Sequence, residues 1–244
     1  MFRAAMNRGD DCKSCARTRA DVNLIAQRIG HDLRAPLRAM KTLPEWIVEE
    51  FEEEGGTANV QAIEYLDLIT AKAILMESML AGLLEYALVT DPAARFCKID
   101  VTAKISDIAD RHLPQDRFEI SIAPELSHIE VAEEDFEACF NHLISNAVQH
   151  NEERPPKVRV TAHLQDTTAV FGIADNGPGI DPQFHQRIFE HFARLQPREE
   201  GEASGLGLAI AKKIAENWGG VLTIQSELGR GTCFKFSFPV EPSG

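Results

Sequence analysis

Basic residues are scarce. The 25 lysines and arginines face 38 aspartates and glutamates, for a formal net charge of −13. A surface of that sign repels phosphate backbones and anionic lipid, so nucleic acid is excluded as an expected partner. Long apolar runs are also missing, and none approaches the roughly 18 residues that a bilayer crossing requires. The opening stretch, MFRAAMNRGDDCKSC, lacks the apolar segment of a secretory signal. No direct membrane insertion is expected, and the location is read as cytoplasmic. The five cysteines, at 12, 15, 97, 139 and 233, are odd in number and scattered, which argues against a disulfide framework. Cys12 and Cys15 have the spacing of half a thiolate zinc site, with no second pair nearby, and read more simply as two incidental thiols. What remains is ordinary globular composition, 44% hydrophobic over 244 residues, with room for one large domain or two modest ones.

From Ile25 the apolar residues recur at Ile29, Leu33, Leu37, Met40, Leu43, Ile47 and Phe51, in steps of three or four. That spacing draws one stripe along a helix. Gly55 and Gly56 stop it, and Thr57 can cap a second helix with its own stripe: Val60, Ile63, Leu66, Ile69, Ala73, Met76, Leu80, Leu83 and Ala87. Joined by so short a loop, the two helices must run antiparallel. Their stripes leave apolar surface that a second copy of the hairpin would cover, giving a dimeric four-helix bundle. Packing against the following domain is the alternative. Pro36 and Pro44 should each bend or loosen the first helix.

Thr90-Asp91-Pro92 breaks the second helix, and beyond it the hydrophobic period changes. Residues 117–123, 157–164, 169–175, 221–227 and 232–240 read as strands, and 133–150 and 205–218 as helices. Strands interleaved with helices predict an α/β sandwich, with the helices on one face of a mixed sheet. The class of the whole chain is therefore α+β.

Three segments carry chemistry. Asp175-Asn176-Gly177-Pro178-Gly179 places a carboxylate at a strand end, followed by a rigid turn able to approach a ligand closely. Ser204-Gly205-Leu206-Gly207-Leu208 opens an apolar helix whose free N–H groups can bind phosphate. Asn146 lies within an amphipathic helix, either as a satisfied core amide or as a ligand to metal and phosphate. Each segment alone also fits a bland reading: a surface turn, a flexible helix start, a buried amide.

In this order the pieces resemble the catalytic core of two-component sensor histidine kinases. HLISNAVQH (142–150), DNGPGI (175–180), IFEHFARL (188–195) and SGLGLAI (204–210) are similar to the motifs of their ATP-binding domain, the Bergerat fold. GHDLRAPL (30–37) resembles the phosphoacceptor motif of their dimerisation domain, and residues 217–239 look like the closing strands. The stretch 192–200 is reminiscent of bacterial phytochrome-type kinases. The resemblance divides the chain into an N-terminal segment (1–19), a dimerisation and histidine phosphotransfer domain (20–90), a linker (91–98) and a catalytic ATP-binding domain (99–244).

The resemblance also implies roles. His31 would attack the γ-phosphate of ATP, with Asp32 orienting its imidazole. Asn146 would hold Mg²⁺, His150 would stack on the base, and Asp175 would accept from the adenine amino group. Gly177 and Gly179 would let the backbone pass near the base. Ser204, Gly205, Leu206, Gly207 and Leu208 would form a lid over the triphosphate, and Arg194 would offset γ-phosphate charge. The product would pass to an aspartate on a response-regulator receiver domain. With about 30 residues before His31, the sensor is expected to be a separate or missing module.

The chain departs from the family pattern at His142, where an Asn is usual, at Gln149, where a Lys or Arg is usual, and at Ala203, where Gly is typical. Ala35 stands where kinases that also dephosphorylate their partner carry Thr or Asn, which implies weak phosphatase activity. Two other readings stay open: a non-catalytic phosphotransfer protein, and a nucleotide-switched regulator that binds a partner.

Overall fold

The computed structural model describes residues 37–38, 40–49, 60–89, 96–149, 155–193 and 204–240. His31, Asp32, His150 and Arg194 lie outside the described residues, as do Cys12, Cys15, Ala35 and Pro36. The described residues form two compact units, divided between Leu88 and Val89, with Ser204 grouped with the first.

The first unit is helical. Helix α1 covers residues 40–49 and runs on through Pro44, whose ring is buried. Helix α2 spans Val60–Leu88. The pairing is antiparallel, as the short loop requires: Leu37 clusters with Leu80 and Leu84, while Lys41, one turn on, bonds Glu77 at 2.9 Å, one turn back. The stripe on α2 divides in two. Ala73 and Leu80 are covered within the chain, together with Leu84 from outside the stripe. Ile69, Met76 and Leu83, spaced by seven, remain 47%, 42% and 45% exposed, alongside Met40, Leu43 and Ile47 of α1.

The second unit is a sandwich. Strands β2 (Phe118–Ile122), β4 (Val158–Gln165), β5 (Thr168–Asp175), β7 (Thr232–Pro239) and β6 (Val221–Ser226) form a five-stranded sheet in that spatial order. The β2–β4 pair is parallel and the others antiparallel, so the sheet is mixed, as predicted. Alternation sorts its faces. Val158, Val160, Ala162, Ala169, Phe171, Ile173, Phe234, Phe236 and Phe238 are all buried on one side. Helices α3 (Val101–Asp110), α4 (Glu133–Gln149) and α5 (Gly207–Asn217) supply the opposing apolar faces. Phenylalanines knit the layers. Phe136 and Phe140 of α4 stack at 4.4 Å, and Phe140 meets Phe171 of β5 edge-on at 5.3 Å. Such contacts add to the burial of large rings.

The periodicity missed three elements. Strands β1 (Phe96–Asp100) and β3 (His128–Ala132) pair only with each other. β1 is exposed at four of its five positions, so it carries no apolar alternation to read. It also occupies residues 96–98, the last three of the segment read as linker. Helix α3 follows at once, capped by Asp100, whose Oδ1 accepts from the Ala103 N–H at 2.9 Å.

Candidate nucleotide site

Asp175 closes β5. Its Oδ1 accepts two backbone N–H groups, from Gly177 at 2.8 Å and Thr232 at 3.0 Å. Oδ2 accepts nothing from the described residues. Register places the side chain: Ala174 pairs Cys233 and Cys233 pairs Gln225, while Thr232 pairs Ser226 in the next row. Asp175, Thr232 and Ser226 thus form one row on the helix-covered face. Ala174, Cys233 and Gln225 form the neighbouring row on the open face. A depression of about 370 Å³ lies around this end of the sheet, lined by both rows. The row that carries the Asp175 carboxylate lies on the covered face, so a base reading it approaches from the helical side.

Burial pushes the Asp175 carboxyl above its ordinary range, and the two N–H bonds pull it back in part. A folded-state value raised above the unfolded one means that the folded chain holds its proton longer. The carboxyl therefore favours folding below the ordinary aspartate range, and this contribution is lost as pH rises through the folded value. At neutral pH the charge is kept at a cost in stability. Asp175→Asn, which keeps an acceptor at Oδ1, should raise the melting temperature at pH 7. The gain should shrink as the pH falls toward 4, near the unperturbed aspartate value. Scanning calorimetry across that range checks both; a lower melting temperature at pH 7 would contradict the assignment.

The turn after Asp175 is held by the protein itself. Asn176 Oδ1 accepts from the Lys157 N–H at 2.8 Å, and its amide donates to the Pro155 carbonyl. Gly179 has φ +74°, and a Cβ there would stand 2.1 Å from the Glu227 carbonyl oxygen. Gly231 has φ +86°, and its Cβ would stand 2.2 Å from the Asp175 carbonyl oxygen. Gly229 N–H donates to the Pro178 carbonyl at 2.7 Å. The 175–180 turn and the β6–β7 turn are therefore pressed into one clasp. Gly179 is explained by this contact inside the protein, where the sequence suggested close approach to a base. Gly177 is buried and donates to Asp175.

On the helical side, Asn146 is half-buried on α4, beside the stripe of Leu143, Ile144 and Ala147. His142, one turn earlier on the same face, lies against the start of α5: a Cβ on Gly207 would come 3.0 Å from its Nδ1. Among the described residues no side-chain cap is seen at the start of α5, a helix N-terminus whose first N–H groups suit an anion. Gly205 takes φ +70° and packs on the Phe192 backbone. Leu206 is fully buried, so its side chain belongs to the core and only its main chain can serve a ligand. Leu208 and Ser204 are half-buried. Among the described residues there is no group of three or more His, Cys, Asp or Glu able to hold a metal. The amide oxygen of Asn146 is a hard donor, which fits an ion held chiefly by phosphates and water. Ser226, Thr232 and Gly231 escaped the sequence reading; the only signal was a polar Ser-Glu-Leu-Gly-Arg-Gly-Thr turn facing Asp175 across the sheet.

Residues 131–242 match the family described as histidine kinase-, DNA gyrase B-, and HSP90-like ATPase. Over 231 residues the chain is 31% identical to the phytochrome-like protein Cph1 of Synechocystis sp., covering 93% of this chain and 30% of that protein. It is 27% identical to the methanogenesis regulatory histidine kinase FilI of Methanothrix harundinacea, covering 90% of this chain and 25% of the relative. The chain thus spans under a third of the length of these curated relatives. Among solved structures, full-length ShkA in complex with AMPPNP shares the fold, with a TM-score of 0.63 and 23% identity over 90% of this chain and 46% of that one.

Proposed function

We propose, for a chain that belongs to the sensor histidine kinases as a catalytic core, that it binds ATP at Asp175 and transfers the γ-phosphoryl group to His31. An imidazole nitrogen of His31 forms the new N–P bond as the bond to the β-phosphate oxygen breaks. ADP leaves, and Asp32 takes up the imidazole proton. The observation that carries the reading is the Asp175 carboxylate, with one oxygen committed to two backbone N–H groups and the other without a partner among the described residues. That free acceptor suits the amino group of adenine. The start of α5, with Gly205 and Gly207, suits the triphosphate. Asn146 would hold Mg²⁺, which when bound offsets phosphate charge. His150 would stack on the base, and Arg194 would face the γ-phosphate.

The open apolar flank of α1 and α2 supports a homodimer built through this hairpin. Phospho-His31 would then serve a receiver-domain aspartate, with the stimulus arriving from a sensor module. No helix among the described residues is long and apolar enough to cross a membrane; the proposed site of action is the cytoplasm.

Incubation with γ-labelled ATP and Mg²⁺ tests the proposal. Acid-labile, base-stable label should appear on the wild type and be absent from His31→Ala and Asp175→Asn. Nucleotide binding without label would favour the nucleotide-switched regulator, and no binding the phosphotransfer protein.

A further inference from the structure

Ser226 sits in the same row as Thr232 and Asp175, outside every segment that the sequence marked for nucleotide. Its hydroxyl is engaged three times: with the Ile180 N–H at 2.8 Å, the Gly231 carbonyl at 2.9 Å and the Thr232 hydroxyl at 3.0 Å. A hydroxyl has one hydrogen and two lone pairs. A carbonyl cannot donate, so the Ser226 hydrogen goes to Gly231. The Ile180 N–H takes one lone pair, leaving only the other for Thr232, whose hydroxyl must therefore donate. Thr232 Oγ1 is thereby stripped of its hydrogen as far as any ligand is concerned and presents lone pairs alone. Beside it, Asp175 Oδ2 is also an acceptor.

We infer that Ser226 is a specificity-determining, positioning residue: by fixing the direction of the Thr232 hydroxyl it makes this end of the sheet all-acceptor, which favours adenine over guanine. This rests on the reading above, that ATP binds at Asp175. Adenine carries an amino group where guanine carries a carbonyl oxygen. Two acceptors with no donor attract the first and repel the second, and buried groups left unpaired against the wrong base add to the discrimination. Without Ser226 the Thr232 hydroxyl could turn and donate to the guanine oxygen.

The test is calorimetric titration of the full chain with non-hydrolysable ATP and GTP analogues at fixed Mg²⁺. In Ser226→Ala the ratio of ATP to GTP affinity should fall by about tenfold, the scale of one hydrogen bond changing sign. Ser226→Thr, which keeps the hydroxyl, should hold the ratio near that of the wild type. A Ser226→Ala protein that loses both affinities equally, or neither, would reduce Ser226 to a structural brace and overturn the inference. Should that variant fail to fold by circular dichroism, Thr232→Val, which removes the acceptor without supplying a donor, should lower the ratio in the same direction by a smaller factor, and an unchanged ratio there overturns the inference too. A wild type that binds neither analogue sinks the nucleotide reading and the inference together. A wild type that prefers ATP, with variants that keep the preference, sinks the inference alone.

Discussion

Gly231→Ala is expected to abolish nucleotide binding, whereas Gly229→Ala, two residues away in the same turn, should be tolerated. The two glycines share a left-handed backbone, φ +86° and +80°. An alanine at either position incurs the conformational penalty of about 1–2 kcal/mol. Their surroundings differ. Around Gly229 a Cβ meets nothing within 4 Å, so the penalty ends there. At Gly231 it stands 2.2 Å from the Asp175 carbonyl oxygen and 3.0 Å from the carbonyl carbon. Neither atom belongs to a flexible side chain. Both are backbone at the end of β5, and the neighbouring residue, Thr232, bonds Asp175 Oδ1 through its N–H. Relief requires β5 and β7 to part at their ends, which removes that bond and turns the carboxylate. A cost above roughly 4 kcal/mol, in the range reserved for strained or overpacked sites, is expected. Urea denaturation and titration with an ATP analogue check it. A Gly231→Ala protein no less stable than Gly229→Ala, and still able to bind, would show that the clasp between the two turns does not hold.

This clasp marks where the sequence stopped being legible. Strands β5 and β7 and helices α4 and α5 follow from local period, because each buries one face and shows it every second or every third to fourth residue. The glycines of the 175–180 turn were equally visible, but their purpose was not. What Gly179 avoids is the Glu227 carbonyl, far along the chain, and no local pattern encodes which backbone arrives there. Ser226 is hidden for the same reason: in sequence it is one polar residue ending a strand, and only register across β6, β7 and β5 aligns it with Thr232 and Asp175. Strand β1 was invisible for a simpler cause, since four of its five residues are exposed, and β3 buries Ile129 and Val131 by alternation but over only five residues, too short a run to stand out. On the helical hairpin the spacing drew a stripe correctly but could not say which part the hairpin itself would cover.

That division gives the second large expectation: Met76→Glu should dissociate the dimer proposed here, while Leu80→Glu should unfold the hairpin. The sequence alone makes these residues equivalent, both lying on one stripe of α2. The structure separates them. Leu80 packs with Leu37 and Leu84 within a single chain, so a carboxylate there meets its own hairpin core. Met76 lies between Ile69 and Leu83 on the open flank, at the seven-residue spacing that suits a seam between helices. In a two-fold bundle each substitution enters the seam twice. Two carboxylates desolvated without partners should cost about 4 kcal/mol or more in total. That corresponds to roughly a thousandfold in the dissociation constant. Sedimentation at micromolar concentration should then show a helical monomer for Met76→Glu. Circular dichroism should show lost helix for Leu80→Glu. Autophosphorylation should fall in both, because the phosphoacceptor hairpin is disturbed, yet titration with an ATP analogue should give the wild-type affinity for Met76→Glu, since every residue proposed to hold the base belongs to the other unit. A Met76→Glu protein that stays dimeric would mean that the open flank of the hairpin is not the seam, and the apolar stripe over Ile69, Met76 and Leu83 would need another partner to cover it.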